Sequence, residues 1–312
     1  MGEAGSSDAD GRAELLAHRG GIARARRLRL LGLLTLAPGL LWLTILLFLP
    51  LLGIVLLSCA GSGAHGVVLW EPSLAAWRRV AGWTILGWSE ANLLVLWRSA
   101  WLAGLTTALC LLLAWPIAAQ AARCSPRWRF ILLALLLIPF ATNLVVRVYG
   151  WQILCVQGGP LPRVAAWLGL GDARTSFYPG FGAVLAGMVS SHLIFAVLPL
   201  HTALLRLDRS LLEAADDLYA TPWWRFRHAL LPQLAPGLIT AALFTAIPAL
   251  GMFLVTDRLG AGKYPIVGNL IQAQLGRDTP YLAALSLTLI LICLLAVILL
   301  RRWLGRTAGI TA

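Results

Sequence analysis

One charged stretch interrupts an otherwise apolar chain. Residues 213–232 read EAADDLYATPWWRFRHALLP, so three acids and two arginines lie between long runs of Leu, Ala, Val and Ile. Carboxylates and guanidinium groups on one short segment can form ion pairs and hydrogen bonds with a partner surface. The question the stretch raises is therefore which partner lies next to it.

The start of this stretch predicts a capped helix. Ser210-Leu-Leu-Glu213 has the S-x-x-E form of a capping box, in which the serine accepts from the backbone and the glutamate reaches back. The pattern predicts Ser210 as the N-cap and a helix that begins at Leu211. Capping alone would give Glu213 a purely structural role, and that interpretation stays open beside a functional one.

A second short helix follows after a turn. Thr221-Pro222 predicts a threonine cap with proline at the first helical position, where its missing N–H costs nothing. The chain turns at Tyr219-Ala220 and continues through Pro232 into an apolar run. The stretch thus predicts a compact projection between two long apolar segments.

The long apolar segments on either side indicate a membrane protein. Of its 312 residues, 59% are hydrophobic and 12% are charged, whereas a soluble domain averages about 25% charged residues. A helix that crosses the hydrocarbon needs about 20 apolar residues. Period-two alternation is absent, so helices are favoured over a barrel. Six segments are long enough to span: 31–58, 93–121, 130–155, 182–205, 234–256 and 282–300.

The basic residues indicate which loops face the cytoplasm. Sixteen of the 25 Lys and Arg residues lie before the first span, after the last, and in the loops at 122–129 and 206–233. By the positive-inside rule, both termini and the charged stretch are predicted to be cytoplasmic. The predicted organisation is a tail of residues 1–30, a six-helix domain of residues 31–302 and a tail of residues 303–312. This distribution also argues against nucleic acid as the partner of a chain with net charge +12.

Three loops then face the outer side. Residues 59–92 carry four tryptophans and are predicted to lie along the membrane surface, because indole favours the headgroup region; docking of an external partner is the alternative. Residues 156–181 include an amphipathic turn at 164–168. Residues 264–272 predict a short re-entrant or interfacial helix.

Ionisable groups within the spans are few. No acid lies in any of the six, and Arg147 near the middle of the third span is predicted to face a cavity or a partner subunit. A proton-coupled carrier is disfavoured, because a proton relay would need carboxylates within the spans. An intramembrane enzyme built on Ser190 and His192 is disfavoured because residues two apart on a helix point apart.

The charged stretch resembles the EAA loop of ABC-transporter permeases. The resemblance rests on the glutamate and two alanines, the turn and the closing L-P, and it implies that the loop docks on a cytoplasmic ATPase. The positions that carry it are Glu213, Ala214, Ala215, Tyr219, Ala220 and Pro232. The family usually has glycine at the hinge, where this chain has Tyr219. If the hinge needs a positive φ, tyrosine is strained by about 1 kcal/mol or more. We hypothesise that Tyr219 instead fills a socket on the partner.

Further segments are similar to the spermidine/putrescine-type permeases. Residues 139–151 (PFATNLVVRVYGW) resemble the third-span signature of that group. Residues 247–251 and 268–272 resemble its fifth span and the following loop. The similarity covers about residues 31–302.

The resemblance implies a MetI-like, all-α permease with six membrane helices in a bacterial inner membrane. The implied partners are a cytoplasmic ATPase dimer, a second permease subunit, an extracytoplasmic solute-binding protein and membrane lipid. It also implies that this chain is not an enzyme, holds no cofactor or metal, and relies on ATP and Mg²⁺ bound by the partner ATPase.

The substrate stays open at this stage. Polyamines are favoured by the resemblance, but members of that group often carry a glutamate where this chain has Met252. Cation–π contacts from Tyr149 and Trp151 could replace a carboxylate. An amino-acid-like solute is the alternative, with Arg147 as the partner of its carboxylate. These four residues form the predicted substrate path.

Overall fold

The computed structural model describes residues 35–63, 67–84, 87–170, 172 and 174–307. The predicted N-terminal tail and the last five residues of the predicted C-terminal tail lie outside the described residues. The chain divides into two units, one ending at Leu56 and the other beginning at Leu57. Helix α1, Thr35–Ser58, lies in the first unit except for its last two residues, and it is apolar and long enough to cross a membrane.

The second unit is mainly helical, with two short β-hairpins at its start. Its strands are β1 Ala60–Ser62, β2 Val68–Pro72, β3 Trp83–Thr84 and β4 Gly87–Trp88. Its first helices are α2 Ala75–Val80, α3 Ala91–Arg123, α4 Pro126–Ala141, α5 Leu144–Cys155, α6 Pro160–Trp167 and α7 Phe181–Leu205. Then follow α8 Arg209–Asp217, α9 Pro222–Arg225, a π-helical turn Phe226–Leu230, α10 Leu231–Leu250, α11 Phe253–Gly260, α12 Val267–Gln274 and α13 Thr279–Thr307.

Helices α3, α7 and α10 form the centre of this unit. The first two run in the same direction, since the Trp101 and Phe181 ring centres lie 5.5 Å apart and, further along, the Cys110 thiol donates to the Val189 carbonyl. Helix α10 runs the other way, and Gly237 near its start faces Ala203 near the end of α7. Small residues at such crossings let membrane helices approach closely. The end of the bundle that carries residues 206–233 is called the loop end below.

The third predicted span is wrong as a single straight helix. Helices α4 and α5 are separated at residues 142–143, and the segments on either side are bent by 93°. The Thr142 hydroxyl donates to the Pro139 carbonyl at 2.6 Å, and the Asn143 side chain caps a new helix by accepting from the Val145 N–H at 2.8 Å. Because the asparagine supplies that acceptor, a helix can restart here in another direction. Among the described residues, five helices could span, or six if the bent pair counts as one.

The fifth predicted span, 234–256, also has different bounds. Helix α10 is continuous with the preceding π-helical turn and ends at Leu250, after which Gly251 and Met252 separate it from α11. Helix α12 packs on this break, since a Cβ at Gly268 would lie 2.8 Å from the Gly251 carbonyl oxygen. The short helix predicted at 264–272 is therefore confirmed, with bounds shifted by two or three residues.

The tryptophan-rich segment 59–92 is more structured than predicted. Its hairpins and α2 pack on the start of α13 through Ala76, Val80, Tyr281 and Leu285. Asp278 fixes this contact, because its carboxylate accepts from Ser62 Oγ at 2.8 Å and pairs with Arg79. We call Arg79, Asp278 and Tyr281 the clasp; the Arg79 guanidinium also lies 4.3 Å from the centre of the Tyr281 ring.

Candidate functional site

The first helix of the charged loop begins earlier than predicted. Helix α8 is capped by Asp208, whose side chain accepts from the backbone N–H of Ser210 at 3.0 Å and from its hydroxyl at 2.8 Å. The expected serine N-cap and capping box are therefore wrong, because the aspartate two residues earlier takes that role. These hydrogen bonds from Ser210 lower the pKa of Asp208 below its ordinary value. Glu213 has no hydrogen bond or ion pair among the described residues, so capping does not explain it.

The turn after α8 has the geometry of a glycine hinge. Tyr219 adopts a φ of +52°. Its N–H donates to the Asp216 carbonyl and the Ala220 N–H donates to the Ala215 carbonyl, both at 3.0 Å. This pair of bonds is the Schellman motif, which places a left-handed residue just past the helix end. The turn therefore does require the positive φ, and Tyr219 adopts this strained conformation although it is not a glycine.

The second arm of the loop is held against the first. Thr221 caps α9 and Pro222 occupies its first turn, which confirms that prediction. One guanidinium nitrogen of Arg225 donates to both carboxylate oxygens of Asp216, at 2.8 and 2.9 Å. The Phe226 ring meets the edge of Trp115 on α3 at 6.0 Å, so the loop is also anchored to the bundle.

The remaining loop positions divide into buried and exposed groups. Ala215 is buried, whereas Glu213, Ala214 and Pro232 are exposed. Glu213 also lines a cavity of about 520 Å³ bordered by the ends of α3 and α7. At the tip, Leu218, Trp223 and above all Tyr219, with 95% of its surface accessible, project from the protein. Clustered exposed apolar side chains of this kind are typical of a surface that docks another protein.

The predicted substrate-path residues come together only in part. Trp151 and Met252 pack against the same buried cluster between α5, α7 and α11. Trp151 also donates its indole N–H to Ser190 Oγ at 2.8 Å. Tyr149 lies on another face of α5 and is largely exposed. The Tyr149 and Trp151 rings therefore lie on different faces of α5 in this structure, and their cation–π role stays a prediction.

Arg147 lies one turn beyond the break in the third span. Its Nη2 donates to the Thr142 carbonyl at 3.4 Å, and its guanidinium carbon is 6.0 Å from the centre of the Phe140 ring. Its Nε and Nη1 atoms are buried without a hydrogen-bond partner in the described part of the chain. The guanidinium group therefore has unused donors.

Sequence reasoning missed one charged residue that lines a cavity. Asp257 lies directly after the predicted fifth span, and in the structure it belongs to α11 and borders a cavity of about 550 Å³. One feature of the sequence could have marked Asp257 as a candidate site residue, since it is the first acid beyond the apolar segment that carries Met252. The break at Gly251 that places it was not predictable from hydropathy.

With this geometry described, comparison with known proteins decides the family. Residues 105–307 match the family model of the binding-protein-dependent transport system inner membrane component. This chain belongs to that family. It is 37% identical over 197 residues to the spermidine/putrescine transport system permease protein PotB of Haemophilus influenzae, covering 62% of this chain and 69% of that one. It is 39% identical over 202 residues to PotB of Escherichia coli K12, covering 64% and 73%.

The fold agrees with a solved transporter. A bacterial ABC transporter involved in the import of the acidic polysaccharide alginate superposes with a TM-score of 0.66 at 16% identity, covering 90% of this chain and 96% of that one. At that identity the likeness shows the fold alone. The predicted all-α ABC permease fold is confirmed, and the chain is a multi-pass inner-membrane permease subunit whose relatives are transport components rather than enzymes.

Proposed function

We propose that this chain is the permease subunit of an ATP-driven importer of polyamines of the spermidine/putrescine type. The observation that carries the proposal is the 37–39% identity to two spermidine/putrescine permeases over about two thirds of the chain. The third-span signature at residues 139–151 lies inside the family match and forms the helix break, which gives those residues a structural role.

The loop of residues 206–233 is the coupling element in this proposal. Its two arms are tied by the Arg225–Asp216 pair, and its base is tied by Gln233, which accepts from the Asp208 N–H at 2.9 Å. A loop fixed at both places can transmit a displacement to α7 and α10 instead of absorbing it. Glu213, Ala214, Ala215, Tyr219, Ala220 and Pro232 are the proposed contacts and hinge.

The remaining partners follow from this assignment. A cytoplasmic ATPase dimer binds ATP and Mg²⁺ and docks at the loop end, a second permease completes the path, and an extracytoplasmic binding protein delivers the solute. Both termini are cytoplasmic in this arrangement. Closure of the ATPase dimer moves the loops and switches the spans between inward-open and outward-open states, so the chain itself catalyses nothing.

One observation favours a second candidate solute. Arg147 has two buried nitrogens without partners among the described residues. A solute carboxylate would accept a charge-assisted hydrogen bond from one of them. An amino-acid-like solute is therefore the alternative.

The test is the ATPase activity of the complete complex in lipid with its binding protein. Putrescine, spermidine and a panel of amino acids are compared as stimulants. Stimulation by a polyamine supports the proposal. Stimulation by amino acids alone keeps the ABC importer and replaces the substrate, and stimulation by none of them contradicts both assignments.

A further inference from the structure

A cavity at the end of the bundle remote from the loop end combines a carboxylate with an aromatic ring. It has a volume of about 550 Å³, opens to the outside, and is bordered by α11, α12, the loop between them and the residues that follow α12. Asp257 and Tyr264 line it together with Gln272 and Arg277. Among the described residues that border the cavity, Asp257 is the one carboxylate.

The carboxylate of Asp257 is available to a ligand. In the described part of the chain it accepts no hydrogen bond, and its one ion-pair neighbour is Arg258, whose Nε lies 3.7 Å away. Both side chains are about half exposed. An ion pair of this length between exposed neighbours contributes little. An incoming ammonium group would therefore not have to displace a strong internal partner.

The wall of the cavity is rigid. The Asn269 amide accepts from Thr256 Oγ1 at 2.9 Å and from the Ile266 N–H at 3.0 Å, and it donates to the Phe253 carbonyl at 3.3 Å. These bonds join α11 to the start of α12. Tyr264 is supported from behind by Phe181 at 5.6 Å. Because the asparagine oxygen accepts two hydrogen bonds within the protein and its amide nitrogen donates a third, the side chain fixes the position of α12 relative to α11.

Among the described residues that line a neighbouring cavity, the charged ones are both cations. It has a volume of about 350 Å³, shares Tyr264 and Pro265 with the first, and is lined by Arg98 and Lys263. Two cations repel a polyamine, whereas the Asp257 carboxylate attracts it. The two sides of the Tyr264–Pro265 segment therefore differ in charge, and only the side with Asp257 suits a cationic solute.

We propose that Asp257 binds a terminal ammonium group of the polyamine in this cavity, with Tyr264 as the adjoining aromatic surface. This inference rests on the proposed polyamine function. No acid lies in the six predicted spans, and Asp257 is the first acid after the fifth of them, five residues beyond Met252. Arg277 borders the same cavity and opposes binding of a cation.

The experiment measures radiolabelled spermidine uptake by the complete complex in proteoliposomes at saturating binding protein. Asp257→Asn should reduce uptake about tenfold, the effect of losing a hydrogen bond between charged groups, and Asp257→Glu should restore most of it. Arg277→Gln removes the opposing charge and should raise uptake or leave it unchanged. Glu71→Gln changes another exposed acid of the same end, in β2, and should match wild type.

The outcomes separate this inference from the proposed function. If wild type imports spermidine and Asp257→Asn imports it equally well, the inference is overturned while the function stands. If Arg277→Gln loses uptake and Asp257→Asn does not, the cavity takes an anionic group and the inference is also overturned. If wild type imports no polyamine at all, the substrate assignment itself fails. Assembly with the ATPase during purification shows that each variant is folded, and rescue by glutamate excludes a merely disruptive substitution.

Discussion

At the scale of the residue, Tyr219 has a strained backbone conformation and an exposed aromatic ring. Its φ of +52° lies in the left-handed region, which costs a residue with a Cβ about 1 kcal/mol or more. With 95% of its surface accessible, the side chain recovers none of that cost by burial in this chain. A residue that is strained and unburied in the isolated subunit is explained best by a contact in the assembled one.

Tyr219→Gly should therefore affect the stability of the permease and its binding to the ATPase subunit differently. Glycine relieves the strain, so the melting temperature of the purified permease should stay the same or rise, while loss of the ring should weaken capture of the ATPase subunit at least fivefold. Thermal unfolding in detergent and quantitative pull-down measure the two effects. Tyr219→Phe keeps the ring and should bind like wild type. Equal or tighter capture of the ATPase by the glycine variant would contradict the socket hypothesis.

Gly237 marks the close approach of α10 to α7. A Cβ there would lie 2.3 Å from the Ala203 Cβ, and neither side chain can rotate away, so the helices would have to separate. We expect Gly237→Ala to destabilise the permease by roughly 1–3 kcal/mol. Gly104→Ala in α3 is the matched control, because nothing lies within 4 Å of its added methyl group. Thermal unfolding should show a lower melting temperature for Gly237→Ala alone.

At the scale of the element, the clasp attaches the tryptophan-rich segment to α13. Burial alone would raise the pKa of Asp278, but hydrogen bonds from Arg79, from Ser62 and from the Tyr281 N–H outweigh it and lower that pKa below its ordinary value. A carboxyl group whose pKa is lower in the folded state stabilises it above the unfolded pKa. The stabilisation is present at neutral pH and is lost as the pH falls below about 4.

Asp278→Asn should loosen this attachment at neutral pH. Allowing for the partial exposure of Arg79, the free energy of the attachment should fall by about 1 kcal/mol. This decrease corresponds to roughly fivefold faster amide hydrogen exchange in α2. The difference between variant and wild type should shrink as the pH is lowered below about 4, because protonation removes the same charge from the native residue. Exchange in α7 serves as the internal reference. Equal exchange in α2 of both proteins at neutral pH would show that the apolar contacts alone hold the segment.

The long helices could be predicted from the sequence, whereas the helix break and the short hairpins could not. Hydropathy finds long apolar helices because each needs only enough length and few charges, as in α3 and α7. It overlooks the break at residues 142–143, since a window of about 20 residues averages over the Thr142 and Asn143 side-chain bonds that end one helix and start the next. The hairpins of segment 59–92 are two to five residues per strand, too short for a period of two to stand out.

At the scale of the whole molecule, the two ends carry different chemistry. The loop end presents a braced projection with exposed Trp223 and Tyr219, and the opposite end presents the Asp257 cavity beside a cationic one. The loop of residues 206–233 was predictable because its residues are contiguous in sequence. The cavity was not, because Asp257, Tyr264 and Gln272 meet only after α11 and α12 fold back on the break at Gly251. Transport requires that the two ends communicate through the central helices.

Reversing the charge at Glu213 tests that communication directly. The side chain is exposed and has no hydrogen bond or ion pair in the described part of the chain, so Glu213→Arg should change the free energy of unfolding by no more than about 0.5 kcal/mol. Membrane insertion and the melting temperature should therefore match wild type. Solute uptake should nevertheless fall at least tenfold, because a like charge or an unpaired one would face the docking groove of the ATPase. Glu71→Arg reverses an exposed acid at the other end and should leave coupling intact. Normal uptake by Glu213→Arg would show that the loop transmits motion through its braced backbone without this carboxylate.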